Sequence, residues 1–324
     1  LERESEERRC VIAHYSDIEA STVDWLWYPY IPFGKLTLLQ GDPGEGKTAF
    51  ALQIASLLSQ GKPLPGSTLS TYPIEVIYQS SEDNAADTIK PRLMKAGADC
   101  ERIAFVSDDD SRLSLIDERL REAIVQTNAR LLILDPLQAF IPSDCDMSRA
   151  SDMRSAMSRL ARLAEETDCA ILLIGHMNKA GGSKGIYRSI GSIDIPAIAR
   201  SVLLIGRPDE DSDMRVVAHI KSNLAPAGRC LGFEFTEDGR IEWVELEDEY
   251  SARDLLSDAP TSASKQEQAE RYLEGILADG ARRATEVYQY MQSAGIAKRT
   301  VDRAKRERGV RSYRSNGEWY WTLK

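Results

Sequence analysis

The chain has 324 residues, 42% of them hydrophobic, and a formal net charge of −10. That length allows one to three domains and a large core, and no apolar run approaches the ~20 residues that cross a bilayer. The charged start LERESEERRC lacks the apolar stretch of a signal peptide, and the five scattered cysteines form no C-x-x-C pair, which implies a reducing, cytoplasmic setting and argues against a zinc site or a membrane.

The charge is uneven. Residues 264–324 hold 13 Lys+Arg against 8 Asp+Glu, a net of +5, whereas residues 1–263 hold 28 against 43, a net of −15. A basic tail on an acidic body keeps nucleic acid among the partners despite the acidic total.

Residues 1–15 read as a disordered or peripheral leader. Residues 16–33 are rich in Trp and Tyr, and core packing is the first explanation for them. Leu36, Leu38 and Leu39 then form a short buried strand. Directly after it, Gly41, Asp42, Pro43, Gly44, Glu45, Gly46, Lys47 and Thr48 match the P-loop pattern G-x-x-x-x-G-K-[ST]. Apolar residues at helical spacing follow from Ala49 to Leu58. Strand, glycine loop and helix make residues 41–49, Gly41 to Ala49, a candidate nucleotide-binding site. Backbone N–H groups and the helix N-terminus can surround a polyphosphate. Lys47 offers a mobile charge to the β/γ oxygens, and the Thr48 hydroxyl is a ligand for Mg²⁺.

Residues 61–73 read as a loop and Ile74–Ser80 as a strand. Ser81, Glu82, Asp83 and Asn84 come next, at a strand's C-terminal end, where open α/β sheets place their chemistry. Glu82 is the candidate general base for an attacking water, with Asp83 or Asn84 as a helix cap. The spacing predicts a helix over 87–95 broken near Lys90 by Pro91, a strand at Ile103–Val106 and an amphipathic helix at Leu113–Gln126. The apolar run from Leu131 to Leu134 ends in Asp135, a Walker B pattern that places Asp135 at Mg²⁺. After a polar stretch at 141–151, a helix is predicted over 152–166 and a strand over 170–174. His176 follows, a candidate donor to the γ-phosphate. The glycine-rich loop at 178–191 carries Lys179, Lys184 and Arg188, which suits a grip on single-stranded DNA. Ser201–Ile205 and Met214–Ile220 read as strands with Lys221 at the end of the second. Phe233–Thr236 and Ile241–Val244 read as a hairpin.

Residues 246–265 have no apolar period and read as a linker. Beyond them, three short helices (266–278, 284–293, 298–308) and a hairpin across Asn316-Gly317 predict a winged helix. Val301 and Ala304 are spaced to face its core. That leaves Arg299, Arg303 and Arg306 on an outward stripe able to lie in a duplex major groove.

Through GDPGEGKT (41–48), YQSSED (78–83), LLILDP (131–136), LLIGHMNK (172–179) and AHIKSN (218–223), the chain resembles the RecA-like ATPases. Within them it looks most like the RepA/DnaB-type hexameric helicase ATPases of plasmids, phages and other mobile elements. The resemblance implies an α/β RecA-like core over 16–245 with a mainly parallel sheet, using ATP and Mg²⁺ in a hexamer. It implies Glu82 as the water-activating residue, His176 as the sensor, and Lys221 as the residue that reaches a neighbouring subunit's γ-phosphate. The family's paired arginine is absent, since Asn223 stands in its place, and Arg200 and Arg207 are candidate substitutes. A motor on single-stranded DNA, a DNA-binding ATPase switch or loader, and a P-loop small-molecule kinase share this site, the last fitting the basic tail least.

Overall fold

A computed structural model describes residues 12–67, 72–107, 112–142, 145, 149–176, 194–208, 212–246, 250, 255, 261–278, 280–315 and 317–323. Strands β1 (Trp25–Trp27) and β2 (Ile31–Pro32) form a small antiparallel ladder ahead of the core. β3 (Leu36–Gly41) leads into α1 (Lys47–Ser59), and β4 (Val76–Ser80) into a π-helical turn at Ala85–Ile89 and α2 (Lys90–Lys95). Next come β5 (Ile103–Ala104), α3 (Glu118–Thr127), β6 (Leu131–Asp135), α4 (Ala150–Thr167), β7 (Ala170–His176) and α5 (Asp194–Ile198). β8 (Ser201–Gly206), β9 (Arg215–Ser222), β10 (Leu231–Phe235) and β11 (Ile241–Val244) complete the sheet.

The nine strands lie in the order β11-β10-β9-β8-β3-β7-β6-β4-β5. From β8 through β5 all pairings are parallel, and β9 to β11 add antiparallel strands at one edge. The central strands are apolar at nearly every position because both faces are covered. On one face Leu39, Tyr78, Ile133, Leu172 and Leu203 pack against Phe50, Ile54 and Leu58 of α1. On the other, Leu38, Ile77, Leu132, Leu173 and Val202 pack against Leu120, Ile124, Met153, Met157 and Leu160 of α3 and α4. The early aromatics belong to the first layer. Trp27 and Tyr30 are buried, and the Trp27 and Phe50 ring centroids are 6.2 Å apart.

A separate C-terminal cluster contains α6 (Thr261–Leu277), β12 (Arg282–Arg283), α7 (Ala284–Ser293), α8 (Lys298–Glu307), β13 (Arg311–Ser315) and β14 (Glu318–Thr322). Its core joins Leu273, Val287, Met291, Val301, Ala304 and Trp321. The three strands form an antiparallel sheet in the order β12-β14-β13.

Several boundaries differ from the sequence expectations, each for a local reason. α3 starts at Glu118, not Leu113, because the Asp117 carboxylate caps it by accepting from the Arg119 N–H at 3.0 Å. Leu113 and Leu115 are buried all the same, so their apolar spacing reflects core contact without a helix. Pro91 does not break its helix. It lies in the first turn of α2, where its missing N–H costs nothing, with the π-helical turn feeding in before it. The strand at 103–106 shortens to two residues, and the Gln79 side chain bonds the Val106 backbone in both directions instead. α6 begins at Thr261, inside the stretch expected to be linker. α5 and β12 carry no sequence signal, being only five and two residues long. Of the polar stretch at 141–151, residues 143, 144 and 146–148 lie outside the described residues, and α4 already begins within it at Ala150.

Phe50 is wholly buried among the rings of Trp27, Phe233 and Trp243. Phe50→Ala is expected to cost about 3–5 kcal/mol by urea unfolding, the usual loss for a truncated core phenylalanine. Phe105→Ala, at an exposed position, serves as the control and should stay within about 0.5 kcal/mol.

Candidate nucleotide site

The parallel register brings four strand ends to one edge. Gly41 of β3 is level with His176 of β7, and Ser80 of β4 with Asp135 of β6. With both faces of the sheet sealed by helices, this edge is where polar groups can converge. The P-loop crosses it under tight steric limits. A Cβ at Gly41 would lie 2.3 Å from the Ile205 carbonyl oxygen of β8. Gly46 has φ +90°, and a Cβ there would lie 2.8 Å from the Phe235 ring.

Lys47 is buried, and its ammonium donates to the P-loop carbonyls of Gly41 at 2.9 Å and Asp42 at 2.8 Å. Burial lowers its pKa, opposed by the charges of Asp135, Asp42, Glu45 and Glu82. Thr48 Oγ1 donates to Asp135 Oδ2 at 2.7 Å, and Tyr78 Oη donates to the same oxygen at 2.6 Å. Burial raises the Asp135 pKa, against the pull of these two donors and of His176 and Lys47. A buried carboxylate that resists ionising is stabilised by an added cation. A hydroxyl and a carboxylate are hard oxygen donors of the kind Mg²⁺ uses when substrate phosphates complete its shell. Thr48 and Asp135 therefore fit that ion.

Glu82 is exposed at the end of β4. Its neighbours are tied down. Asp83 pairs with Arg92 at 2.8 Å, and the Asn84 side chain caps the π-helical turn by accepting from the Ala86 and Asp87 N–H groups. Asp83 and Asn84 thus hold the backbone while Glu82 stays available. His176 has its Nδ1 buried and without a hydrogen-bond partner among the described residues. Burial lowers its pKa first and the Lys47 charge second, while Glu82 and Asp135 raise it. Lys47 and His176 thus each lie within reach of the charges of Glu82 and Asp135.

Three features were not legible in the sequence. Tyr78 lies within an apolar strand and becomes a donor to Asp135 only through the β4–β6 pairing. Glu45 of the P-loop faces two arginines, Arg207 just after β8 and Arg215 at the start of β9. Arg207 pairs with it at 3.4 Å, and Arg215 lies over the Phe235 ring at 5.4 Å, beneath Gly46. Arg207 is therefore engaged with its own chain's P-loop in this structure. Lys221 lies within β9, and its ammonium donates to the carbonyls of Pro196, Ala197 and Ala199 at 2.6, 2.9 and 2.7 Å. It caps the end of α5, and contact with a neighbouring subunit requires breaking that cap. Arg200, the other candidate substitute, is exposed, and its charge lowers the Lys221 pKa after burial has done so.

Lys179, Lys184 and Arg188 lie outside the described residues. On α8, Val301 and Ala304 are buried as their spacing requires, Arg299 and Arg306 are exposed, and Arg303 pairs with Glu307 at 3.2 Å.

The AAA_25 family, an AAA domain, matches residues 2–182, which hold the P-loop, Glu82, Asp135 and His176. The chain belongs to this AAA domain family. The chain is 25% identical over 211 residues to the DNA repair protein RadA of Bacillus subtilis, and 27% identical over 211 residues to that of Halalkalibacterium halodurans. Each match takes in 64% of this chain and 41% of the relative, so the chain spans less than half of their length. Among solved structures, one ATPase domain superposes with a TM-score of 0.50 at 18% identity, over 66% of this chain and 85% of that one. The fold is that of a RecA-like P-loop ATPase. Among the described residues, no helix is long and apolar enough to cross a membrane.

Asp135→Asn separates the cost of burial from the role of the charge. The amide keeps an acceptor for Thr48 and Tyr78 and removes a carboxylate that burial disfavours. The melting temperature of the nucleotide-free chain should hold or rise. Mg²⁺ with a non-hydrolysable ATP analogue at a hundredfold excess over Kd should stabilise the native chain by about 2.7 kcal/mol, and the variant by much less, as read by differential scanning fluorimetry.

Proposed function

We propose that this chain is an ATP-hydrolysing, DNA-associated motor, a hexameric helicase-like ATPase acting on single-stranded DNA in the replication of a mobile element. The observation that carries the reading is the convergence of Lys47, Glu82, Asp135 and His176 at one sheet edge. In this reading the P-loop N–H groups and Lys47 hold the substrate phosphates, and Lys47 exchanges its two carbonyl acceptors for phosphate oxygens. Thr48 and Asp135 would hold Mg²⁺, which would supply charge neutralisation for the substrate phosphates. Glu82 accepts the proton of the attacking water, and His176, whose Nδ1 has no partner among the described residues, is the group that senses the γ-phosphate. Lys221 is the candidate for contact across a subunit boundary, trading its three carbonyls for a neighbour's phosphate oxygens.

The DNA part of the reading rests on the basic tail, on the match to proteins named for DNA repair, and on the C-terminal cluster. Residues from the start of α6 at Thr261 onward are assigned to a winged helix and residues 16–245 to the ATPase domain, with the segment between them as a linker. The loop with Lys179, Lys184 and Arg188 is assigned to single-stranded DNA, and α8 with Arg299, Arg303 and Arg306 to duplex DNA. An ATPase switch or loader without unwinding uses the same site residues.

Glu82→Gln should retain ATP binding and slow hydrolysis by roughly 10²–10⁴-fold, the usual contribution of a general base. Normal turnover in that variant would move the base to another residue. ATP-dependent strand displacement on a forked substrate, absent in Glu82→Gln, separates the motor from the switch. An ATPase that never displaces a strand is the switch.

For α8, replacing Arg299, Arg303 and Arg306 together by alanine in the full chain should weaken duplex binding. It should also flatten the salt dependence, by up to about three in the slope of log K against log salt, because each lost phosphate contact retains a counterion. The basal ATPase should not change. An unaltered salt slope would return α8 to the role of a solvated surface helix.

A further inference from the structure

The C-terminal sheet has two unlike faces. Strand register places Ser312 beside Trp321 and Arg314 beside Trp319 on one face. It places Arg311 beside Thr322, Tyr313 beside Tyr320 and Ser315 beside Glu318 on the other. Trp321 is 2% exposed and sits in the core with α7 and α8. The face that carries it is the inner one, so the Tyr313–Tyr320 face is turned to solvent.

On that outer face the two tyrosine rings stack, with centroids 5.8 Å apart and planes 20° from parallel. Tyr313 remains 45% exposed. β12 flanks β14 on its other side and sets Arg283 opposite Tyr320. Arg283 Nε donates to Tyr320 Oη at 3.3 Å and pairs with Glu318 at 3.0 Å, which fixes the ring's position. Arg311 is exposed two residues before Tyr313 on the same face and has no ion-pair partner among the described residues. A cross-strand aromatic pair stabilises a sheet, but that accounts for neither the exposure of Tyr313 nor the guanidinium beside it, which is unpaired among the described residues. Flat aromatic surface next to free positive charge matches an unpaired base on its own phosphodiester strand. The base stacks and the phosphate meets the cation. Duplex bases already have both faces covered, so such a platform selects single strands.

We propose that the outer face of the β12–β14–β13 sheet is a base-stacking site for single-stranded nucleic acid, with Tyr313 and Tyr320 as the platform and Arg311 as the phosphate contact. Arg283 acts as a positioning residue for Tyr320. The site is distinct from the α8 arginines and does not depend on the ATPase reading.

The test uses the full chain without nucleotide, carrying Lys179→Ala, Lys184→Ala and Arg188→Ala so that the core loop does not mask the tail. Binding of a fluorescein-labelled oligothymidine strand and of a matched duplex is read by anisotropy. Adding Tyr313→Ala and Tyr320→Ala should weaken single-strand binding roughly ten- to a hundredfold and leave duplex binding within about twofold. Tyr313→Phe with Tyr320→Phe keeps both rings and should retain single-strand binding. A 5-iodouracil strand should photocross-link to peptides containing Tyr313 or Tyr320 in the chain that keeps both tyrosines. Unchanged binding in the alanine variant, equal loss on strand and duplex, a phenylalanine variant as weak as the alanine one, or no cross-link at these tyrosines would each overturn the assignment.

Discussion

Burial of both faces of the parallel sheet is the constraint on which the rest of the core depends. With α1 and α2 on one side and α3 and α4 on the other, the central strands can carry apolar residues at nearly every position, and do. Polar chemistry is thereby driven to the C-terminal ends, and the parallel register sets those ends level. Gly41 meets His176 and Ser80 meets Asp135 because the strands pair as they do. The P-loop, Glu82, Asp135 and His176 share a site for that reason, although they are far apart in sequence.

At that edge the electrostatics are balanced against burial. Desolvation lowers the pKa of Lys47 and of His176 and raises that of Asp135, each away from its charged form. Opposite charge brought next to such groups would offset the penalty of burial. Thr48 and Tyr78 hold Asp135 on one oxygen, while the P-loop carbonyls hold Lys47. Asp135 is thus fixed by two donors, whereas Lys47 is held by carbonyls that a phosphate would have to displace.

The β8–β9 side of the sheet adds a second layer of control over the P-loop. Arg207 pairs with Glu45, and Phe235 fills the space under Gly46 with Arg215 over its ring. The loop is therefore fastened from the antiparallel edge as well as from β3 and α1. Lys221, one strand over, fastens α5 through three carbonyls. Both contacts draw on residues whose sequence neighbours suggested other partners.

By itself the sequence determined the α/β core, the P-loop, the strand that ends in Asp135, the position of Glu82 after β4 and the three-helix-plus-hairpin tail. These are local signals: glycine spacing, apolar runs, and one polar residue at a strand end. The burial of Val301 and Ala304 on α8 was legible for the same reason, since helical periodicity alone decides it. Only the tertiary structure decided that Tyr78 reaches Asp135, that Arg207 turns to Glu45, that Lys221 caps α5, and that Tyr313 and Tyr320 stack on an outward face. Each of these is a pairing between residues distant in sequence or on separate strands, and its existence depends on strand order and register. The helix expected at Leu113 and the break expected at Pro91 failed for the complementary reason. A core contact without a helix, and a proline in a helix's first turn, have the same local composition as the structures they were read as, and only the capping and packing around them tell the two apart.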